Sequence, residues 1–411
     1  MMKRVLSILI CIIVLCPLFC IEVSAGKSTV VFLRDGGAGD GSSLSKPVGT
    51  LSAAYDALDL SKDCTIVICN NFTQTANFTY GKEYSGSVRF TSVYDGVDYS
   101  KKYGAKYISK AQRFVMYGET IFDDIDLKLT GNYFFIIANC HPITLTENFN
   151  PIYTKKVSGN FIDSGVSILG GYQNAQDMPE FECYNDININ VLGGKNICIV
   201  AFNRAIKHAY HFGTANITVG GKAQVGTIRY ASVDADDIIS GNVNITVKDS
   251  AQVGFIRTGN GKNLDVNSLV VNWEGGTISN FIPYDEYEID GVIYQNSEFN
   301  EGSFLRYSAA AQQSVNFKGI SELFENAVLI GSAEDKDLHK QYSDVTSSSS
   351  VTVTDELSTD DPGTVGSVSE DIYDIPNNDA SSPEWESIII IAGSALVAVC
   401  LIVIVLLIRK K

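Results

Sequence analysis

The chain has 411 residues and a formal net charge of −16, with 45% hydrophobic and 19% charged residues. Nucleic acid and anionic lipid surfaces are bound through a basic footprint, so this charge argues against both partners. Part of the acidity lies in one segment near the C-terminus, residues 341–387.

Residues 1–25 have the pattern of a secretory signal peptide. Lys3 and Arg4 precede an apolar run that ends at Ile21, and the small residues of VSA before Gly26 offer a cleavage site. A basic start, a short apolar core and a small-residue cleavage site are typical of such signals. We therefore expect residues 1–25 to be removed. A retained N-terminal membrane anchor is the alternative.

The folded part is predicted to span residues 26–340, and its beginning contains one clear helical pattern. In TLSAAYDALDL, Thr50 can cap a helix whose apolar residues share one face. Those apolar residues are Leu51, Ala54, Tyr55 and Leu58. Elsewhere, short β-branched and aromatic runs are separated by Gly, Asn and Asp, which predicts an all-β domain.

A sequence repeat indicates how these strands are organised. The stretch that begins at Ala215 and ends at Arg229 recurs from Val243 to Arg257, and ten positions are identical. In both copies, NITV alternates so that Ile and Val face one side and Asn and Thr face the other. A looser copy begins at Asn188, at the same spacing, and another begins at Ser268, at a slightly shorter spacing from Asn244.

A unit of roughly 24 to 28 residues buries its apolar face by stacking on its own copies. A solenoid places successive copies about 4.8 Å apart, with Ile and Val inside. Asn188, Asn216 and Asn244 would then form a ladder of stacked side chains. We predict a parallel β-helix of about eleven coils at this strand spacing. A β-sandwich with an internal duplication is the alternative.

The segment from Thr29 to Cys69 resembles the opening of secreted right-handed β-helix proteins of the pectate-lyase-like superfamily. These proteins begin with a strand, a Gly/Asp-rich loop, a Pro, a Thr-Leu or Thr-Ile helix start with a downstream Ala, and a strand. The matching positions are Gly37, Gly39, Asp40, Gly41, Pro47, Thr50, Leu51 and Ala54. The resemblance implies a right-handed β-helix with an N-terminal cap at about 29–69, in which the helix covers the open end of the first coil.

Two further segments resemble known proteins. GETIFDDIDL, from Gly118 to Leu127, resembles the coil motif of the same superfamily. VRFTSVYDGVDY, from Val88 to Tyr99, is similar to a segment of membrane-anchored surface proteins of gut Firmicutes. These resemblances imply a fold, and a fold does not determine a function.

Polysaccharide lyases and glycosidases occur in this superfamily, and a glycosidase requires two carboxylates at one sugar bond. Asp123, Asp124 and Asp126 in FDDID are the candidate catalytic residues, and alternation places the last two on one face. The polygalacturonase-like signatures Asn-Thr-Asp, Gly-His-Gly and Arg-Ile-Lys are absent, as is the Arg-x-Pro-x-x-Arg pattern of pectate lyases. A merely solvated acidic loop is the alternative, and we expect a protein without catalysis.

Arg229 and Arg257 occupy equivalent positions of the repeat. Together with the neighbouring Tyr230, they are candidate residues for binding an acidic sugar. The favoured alternative is that both arginines cap a bend or pair with a nearby Asp. Exposed aromatic residues along one face, such as Tyr133, Tyr230 and Tyr284, would favour glycan binding.

Calcium is the one metal ion that the sequence suggests. Asp35 and Asp40 in DGGAGDGS offer oxygen ligands, and a Gly-rich turn with positive φ explains the same pattern. His208 and His211 are three positions apart, which places them on opposite faces of a strand, so a shared metal is not expected. No cofactor is predicted.

Five cysteines lie in the predicted ectodomain: Cys64, Cys69, Cys140, Cys183 and Cys198. Because the number is odd, at least one thiol stays free or pairs between chains. Most of them are expected to be buried small hydrophobic residues.

Four asparagines lie in Asn-x-Ser/Thr sequons: Asn71, Asn77, Asn216 and Asn244. They are candidate glycosylation sites only if the source is a eukaryote. In a bacterium, Asn216 and Asn244 are ladder residues alone.

The C-terminal region predicts a stalk and a membrane anchor. Residues 341–387 contain many Asp and Glu and no Lys, Arg or His, which predicts an acidic, disordered stalk. Residues 388–408 contain no charge, and an apolar stretch of about 20 residues is long enough to span a bilayer as a helix. The basic residues 409–411 follow and are predicted to be a cytoplasmic tail. We expect a single-pass type I protein of the plasma membrane, with its ectodomain outside the cell.

The leading functional hypothesis is a non-catalytic, adhesin-like surface protein that binds an extracellular glycan or a surface protein. The second is a membrane-tethered polysaccharide lyase or glycoside hydrolase, and the third is a structural spacer or coat component. Charged groups assembled around Asp124 or Asp126 in a groove would favour the enzyme, whereas a line of exposed aromatic residues would favour glycan binding.

Overall fold

The computed structural model describes residues 27–173, 181–204, 207–262, 266, 268–282, 286–289, 292–295, 303–324 and 326–337. The predicted signal peptide (1–25), stalk (341–387), transmembrane helix (388–408) and tail (409–411) lie outside the described residues. In the part of the chain that is described, no helix has both the length and the apolar character needed to cross a membrane.

The described chain consists mainly of short strands. Its N-terminal half contains β1 (Val30–Leu33), β2 (Cys64–Ile68), β3 (Phe72–Gln74), β4 (Phe78–Thr79), β5 (Val88–Thr91), β6 (Val93–Tyr94), β7 (Val97–Asp98), β8 (Tyr107–Ser109), β9 (Arg113–Val115), β10 (Thr120–Asp123), β11 (Asp126–Leu129), β12 (Tyr133–Ile137), β13 (Ile143–Leu145), β14 (Asn150–Tyr153) and β15 (Gly165–Leu169). The C-terminal half contains β16 (Phe181–Cys183), β17 (Ile187–Val191), β18 (Lys195–Val200), β19 (Lys207–His211), β20 (Ala215–Val219), β21 (Gln224–Arg229), β22 (Val233–Ile239), β23 (Asn242–Val247), β24 (Gln252–Arg257), β25 (Asn260–Lys262), β26 (Ser268–Trp273), β27 (Thr277–Ile282), β28 (Glu286–Ile289), β29 (Val292–Gln295), β30 (Phe304–Tyr307) and β31 (Asn326–Leu329). Short helices accompany them: α1 (Leu51–Ala57), α2 (Tyr99–Tyr103), α3 (Ala309–Gln312) and α4 (Phe317–Ser321), and residues 333–337 are also helical.

Most strands belong to four parallel sheets. The main sheet has eleven strands, in the order β1-β2-β5-β10-β13-β17-β20-β23-β26-β30-β31, and the second sheet has eight, β4-β9-β12-β15-β18-β21-β24-β27. The first side sheet is β3-β8-β11-β14, and the second side sheet is β16-β19-β22-β25. Among the described strands, only the hairpins β6–β7 and β28–β29 pair antiparallel, and Ala38 and Val48 form an isolated antiparallel bridge outside them. Parallel ladders rule out the antiparallel β-sandwich and are compatible with the predicted solenoid.

The path of a coil changes part-way along the stack. In the N-terminal coils, the chain runs from the main sheet to the first side sheet and then to the second sheet, as in β10, β11 and β12. From β17 onwards it runs from the main sheet directly to the second sheet and then to the second side sheet, as in β20, β21 and β22. The first side sheet therefore ends at β14, and the second side sheet begins at β16.

Strands from successive copies of the repeat pair with each other in the register that the repeat period predicts. Asn188 pairs with Asn216, and Asn216 pairs with Asn244. The Nδ2 of Asn216 donates to the Oδ1 of Asn188 at 3.1 Å, and the Nδ2 of Asn244 donates to the Oδ1 of Asn216 at 2.9 Å. The expected Asn ladder is present.

The next copy is present as β26, but its register differs from the sequence spacing, because Asn244 pairs with Val270 and not with Ser268. The spacing between these two coils is 26 residues. The difference from the expected register is two positions, an even number, so the inward and outward alternation is kept.

The helix α1 begins where the sequence predicts. The Thr50 side chain accepts a hydrogen bond from the Ala53 backbone N–H at 3.1 Å, which satisfies one of the free donors at the helix start. Leu51, Ala54 and Tyr55 are buried against the core. All five cysteines of the predicted ectodomain are free and buried, as expected for small hydrophobic residues.

Removal of one rung from the interior tests the stacking. Ile217 is fully buried between Ile189 and Ile245 of the adjacent coils. We expect Ile217→Ala to lower the free energy of unfolding by about 2–5 kcal/mol, because the coils cannot collapse onto the cavity. Thr218→Ala, on the outward face of the same strand, is expected to change it by about 0.5 kcal/mol or less. Urea denaturation of the full chain measures both, and equal effects would contradict an interior built on this ladder.

Candidate functional site

A polar groove lies at the corner between β10 and β11. Its volume is about 260 Å³, and its lining includes Asp98, Lys101, Asp124, Asp126 and Asn148. Asp124 occupies the corner itself, with a positive φ of 45°, and Asp126 begins the following strand. The structure therefore brings these two candidate carboxylates into one groove.

The carboxylates of this groove differ in how they are held. Asp98 accepts from the Lys101 backbone at 2.9 Å and pairs with the Lys101 Nζ at 2.8 Å, and these bonds lower the pKa of Asp98. Asp126 accepts from the Asn150 Nδ2 at 2.7 Å. Among the described residues, no side chain or backbone group donates a hydrogen bond to the Asp124 carboxylate. Asp124 is thus the acidic group of the groove that is most open to a ligand.

Asp123 lies apart from this groove. Its carboxylate forms an ion pair with Arg89, one coil away, and accepts from the Thr146 Oγ1 at 2.6 Å. Both oxygens are engaged in bonds between coils on the main sheet. The structure therefore separates Asp123 from Asp124 and Asp126, because the chain turns a corner at Asp124 between the two strands.

The two candidate arginines stack one coil apart, with Arg229 in register with Arg257. The Arg229 Nη1 donates to the Thr258 carbonyl at 3.3 Å, and the Arg257 Nη2 donates to the Asn160 carbonyl at 3.3 Å. Both guanidinium groups thus hold loop backbone, which supports their role as caps of bends.

The expected aromatic face is not formed by the residues named for it. Tyr230 is only 7% exposed, and its burial raises the pKa of its hydroxyl. Tyr133 is half-buried and packs against Phe135, with ring centroids 4.8 Å apart. Tyr284 lies outside the described residues. Tyr230 and Tyr133 therefore offer no open face for a sugar.

The structure instead exposes a different aromatic pair. Tyr184 and Phe212 follow directly after β16 and β19, one coil apart, and are 66% and 41% exposed. Their rings stack with centroids 4.7 Å apart and an interplanar angle of 13°. The Tyr184 hydroxyl donates to the Glu182 carboxylate at 2.8 Å. We call Tyr184 and Phe212 the aromatic platform.

The two calcium candidates have separate local roles. Both oxygens of Asp35 accept hydrogen bonds at 2.7 Å, one from the Thr73 backbone and one from its hydroxyl. Asp40 accepts from the Ser42 hydroxyl at 2.6 Å and from its backbone at 3.0 Å, and these bonds lower the pKa of Asp40. These bonds hold the Gly-rich loop, and calcium binding by the two residues stays a prediction.

The sequons have different surroundings. Asn71 is exposed, whereas the Asn77 Oδ1 accepts from the backbones of Gln112 and Arg113, each at 3.1 Å. Asn216 and Asn244 are engaged in the ladder. Attachment of a glycan at either ladder position would disrupt the hydrogen bonds between side-chain amides that join neighbouring coils.

A buried cluster of Cys140, Cys183 and His211 is absent from the sequence-based candidates. Their ligand atoms lie within 4.8 Å of one another, and no other group of three metal-ligating side chains is found in the described part of the chain. The three residues are 2%, 5% and 1% exposed. Cys183 and His211 stack in register on β16 and β19.

Mutual contacts shift the pKa values of the two thiols in opposite directions. A hydrogen bond from Cys140, together with one from His211, lowers the pKa of Cys183. The same contact with Cys183, together with burial, raises the pKa of Cys140. The negative charge of this pair is therefore favoured on Cys183.

The repeat carries a signal for two of the three members of this cluster. Cys183 and His211 have the spacing of the rungs of the Asn ladder, 28 residues. The period therefore predicts that they stack, although strand alternation alone showed only that His208 and His211 diverge. The separation of Cys140 from Cys183 is not a period of the repeat, so the sequence carries no signal for the third member.

No family model, no curated protein and no solved structure matches this chain.

Close packing around the cluster predicts that an added methyl group lowers the stability of the protein. A Cβ added to Gly171 would lie 2.1 Å from the Oδ1 of Asn203, the residue that contacts the His211 ring. We expect Gly171→Ala to lower the free energy of unfolding by about 1–3 kcal/mol because of this overpacking. At Gly131, the nearest atom to an added Cβ is 3.8 Å away, so Gly131→Ala is expected to stay within about 0.5 kcal/mol. Chemical denaturation of both variants measures the difference, and a neutral Gly171→Ala would contradict it.

Proposed function

We propose that this chain is a membrane-anchored cell-surface protein whose ectodomain binds an extracellular glycan without catalysis. The proposal takes the stacked parallel coils to be a right-handed β-helix of the pectate-lyase-like kind. The sequence patterns of the two termini support the secreted, anchored topology. The observation that carries the binding role is the aromatic platform.

The aromatic platform offers solvent-exposed aromatic surface for contact with a sugar ring. Aromatic faces carry partial negative charge, and the C–H groups on one face of a pyranose carry partial positive charge. The two rings are nearly parallel and stacked, with centroids 4.7 Å apart, so each covers part of one face of the other, and they stay 66% and 41% exposed to solvent. The Glu182 carboxylate beside Tyr184 adds an acceptor for sugar hydroxyl groups. An apolar surface with polar groups at its edge is a typical arrangement of ligand sites.

Loss of either ring tests this proposal. We expect Tyr184→Ala and Phe212→Ala to weaken binding to immobilised polysaccharides by about tenfold, which corresponds to ~1.4 kcal/mol of lost stacking. The full chain is measured against a panel of acidic and neutral polysaccharides, with and without calcium.

Phe161→Ala is the matched control, because Phe161 is 65% exposed and lies outside the platform. Its affinity is expected to equal that of the unchanged chain. Equal binding by all three variants would show that the platform is not the site. No binding to any glycan would overturn the proposal and leave a protein partner or a spacer role.

The polar groove supports a second function, a membrane-tethered polysaccharide lyase or glycoside hydrolase. Two carboxylates in one concave site are the minimum that glycosidic bond cleavage requires. Asp124 and Asp126 meet this condition in a groove that also contains Lys101. This assembly of charged groups favours the enzyme over a purely structural role.

The second function is tested by product release from the same polysaccharide panel. If the groove is catalytic, the full chain generates new reducing ends or unsaturated uronic products, and Asp124→Asn lowers their rate by about 100-fold or more. Asp56→Asn, an exposed carboxylate on α1, serves as the control and is expected to keep the full rate. Absence of products from the unchanged chain would contradict catalysis.

A further inference from the structure

The buried cluster lies where the stack changes its side sheet. Cys140 follows β12 at the corner that leads to the main sheet, with a φ of 60°, and its N–H donates to the Gly170 carbonyl at 2.8 Å. Cys183 ends β16, which is an edge strand because only β19 pairs with it in the second side sheet. The two sulfurs therefore connect an edge strand to an earlier coil that contributes no strand to that sheet.

Hydrogen-bond directions around His211 assign the tautomer of its neutral ring. The Tyr172 backbone N–H donates to the Asn203 Oδ1 at 2.7 Å, which fixes the orientation of the Asn203 amide. The Asn203 Nδ2 therefore faces the His211 Nε2, at 2.6 Å, and donates to it. Because Nε2 accepts this bond, the proton of the neutral ring lies on Nδ1.

This tautomer argues against a role for the cluster in metal binding and favours a role in which His211 donates to a thiol pair. A metal ligand must offer a lone pair, and a ring bound to metal through Nδ1 would carry its proton on Nε2, directed at the Asn203 amide nitrogen. Rotation of that amide would place its NH₂ group against the Tyr172 N–H. Because Nε2 accepts from Asn203, Nδ1–H is the donor that the neutral ring retains for Cys183, whose sulfur lies within 4.8 Å of a ring nitrogen.

We propose that Cys140 and Cys183 are a disulfide-forming pair and that His211 is a positioning residue that donates to the Cys183 thiolate. The proposal does not depend on glycan binding or on the polar groove. Two thiols and a donor imidazole, all buried within 4.8 Å, are the geometry that carries it.

The reaction requires an external disulfide as the oxidant, for which oxidised glutathione is the probe. The Cys183 thiolate attacks one sulfur of the oxidant, whose S–S bond breaks and releases one thiolate, and that thiolate takes up the Cys140 proton. Cys140 then attacks the Cys183 sulfur of the mixed disulfide and releases the second thiolate, which is protonated by solvent. Overall, the thiolate–thiol pair loses two electrons and one proton, solvent supplies the second proton, and the oxidant becomes two thiols.

The bond would fasten the edge strand at the start of the second side sheet. A cross-link from Cys140 to Cys183 closes a long loop and so restricts the unfolded chain, and it removes freedom from a strand that has one sheet neighbour. Cys69, which is buried at 2% exposure in a separate cluster, has no such role and provides a matched control.

Peptide mapping of the full chain tests the bond without any substitution. The reduced chain is treated with oxidised glutathione, alkylated and digested in the absence of reductant. We expect a Cys140–Cys183 linked peptide and a Tm about 5 °C or more above that of the reduced chain. Cys140→Ser and Cys183→Ser are expected to abolish this gain in Tm, whereas Cys69→Ser keeps it.

Two results would overturn the proposal. One is full alkylation of Cys140 and Cys183 after oxidation, because the sulfurs would then not pair. The other is a zinc ion retained in a 1:1 ratio by the purified chain with both thiols unlinked, because the cluster would then be a metal site.

The role of His211 is tested by the pH profile of bond formation. At pH 7, His211→Leu is expected to form the bond about tenfold more slowly, because the thiolate loses a donor. At about pH 9.5, above the ordinary cysteine pKa of ~8.5, the difference is expected to disappear. His211→Asn keeps a donor near the Nδ1 position and is expected to restore most of the rate at pH 7.

The other titratable groups around the pair are retained in each variant: Tyr172, His141, Glu83 and Tyr117. A rate ratio between His211→Leu and the unchanged chain that stays constant with pH would show that His211 only fills space. That result would overturn the positioning role.

Discussion

The inward-facing ladder of aliphatic side chains is the interaction on which the rest of the structure depends. Ile189, Ile217 and Ile245 lie in register on successive coils and are fully buried. A single coil has only one layer of such residues and cannot exclude water from both sides of it, so each coil depends on its neighbours for stability. Alternation then sends every second residue outward, and the outward residues of equivalent coils form columns. The Asn ladder, the stacked arginines and the aromatic platform are three such columns.

The columns are interrupted where the first side sheet ends and the second begins. A chain that leaves one side of the stack and begins to pair on another creates a new edge strand, and edge strands expose unpaired backbone groups. The Cys140–Cys183–His211 cluster lies at this edge, where no earlier strand of the same sheet stacks on β16. The two thiols and the imidazole of this cluster thus lie at the irregular part of the stack and not among the regular coils.

The aromatic platform and two members of the buried cluster lie next to each other at the ends of the same strand pair, β16 and β19. Cys183 and His211 point into the core, whereas the next residues, Tyr184 and Phe212, point to solvent. Because these neighbours share one backbone, whatever holds the inner pair in place also fixes the spacing of the outer rings. A covalent link at Cys183 would therefore steady the surface on which a sugar is proposed to bind. The polar groove around Asp124 lies on other coils and is independent of this arrangement.

Local and periodic patterns in the sequence were enough to predict the parallel stacking, the start of helix α1 and the Asn ladder. These features depend on alternation, capping and a period of 28 residues, all of which are local or strictly repeated. The grouping of Asp124 with Asp126 was also predictable from spacing, and the period contained the stacking of Cys183 under His211. The approach of Cys140 to that pair, the burial of Tyr230 and the exposure of Tyr184 and Phe212 emerged only in the folded chain. These outcomes depend on the point in the stack at which the chain stops adding strands to the first side sheet and begins the second. That point is determined by packing between distant segments, which the period of the sequence repeat does not predict.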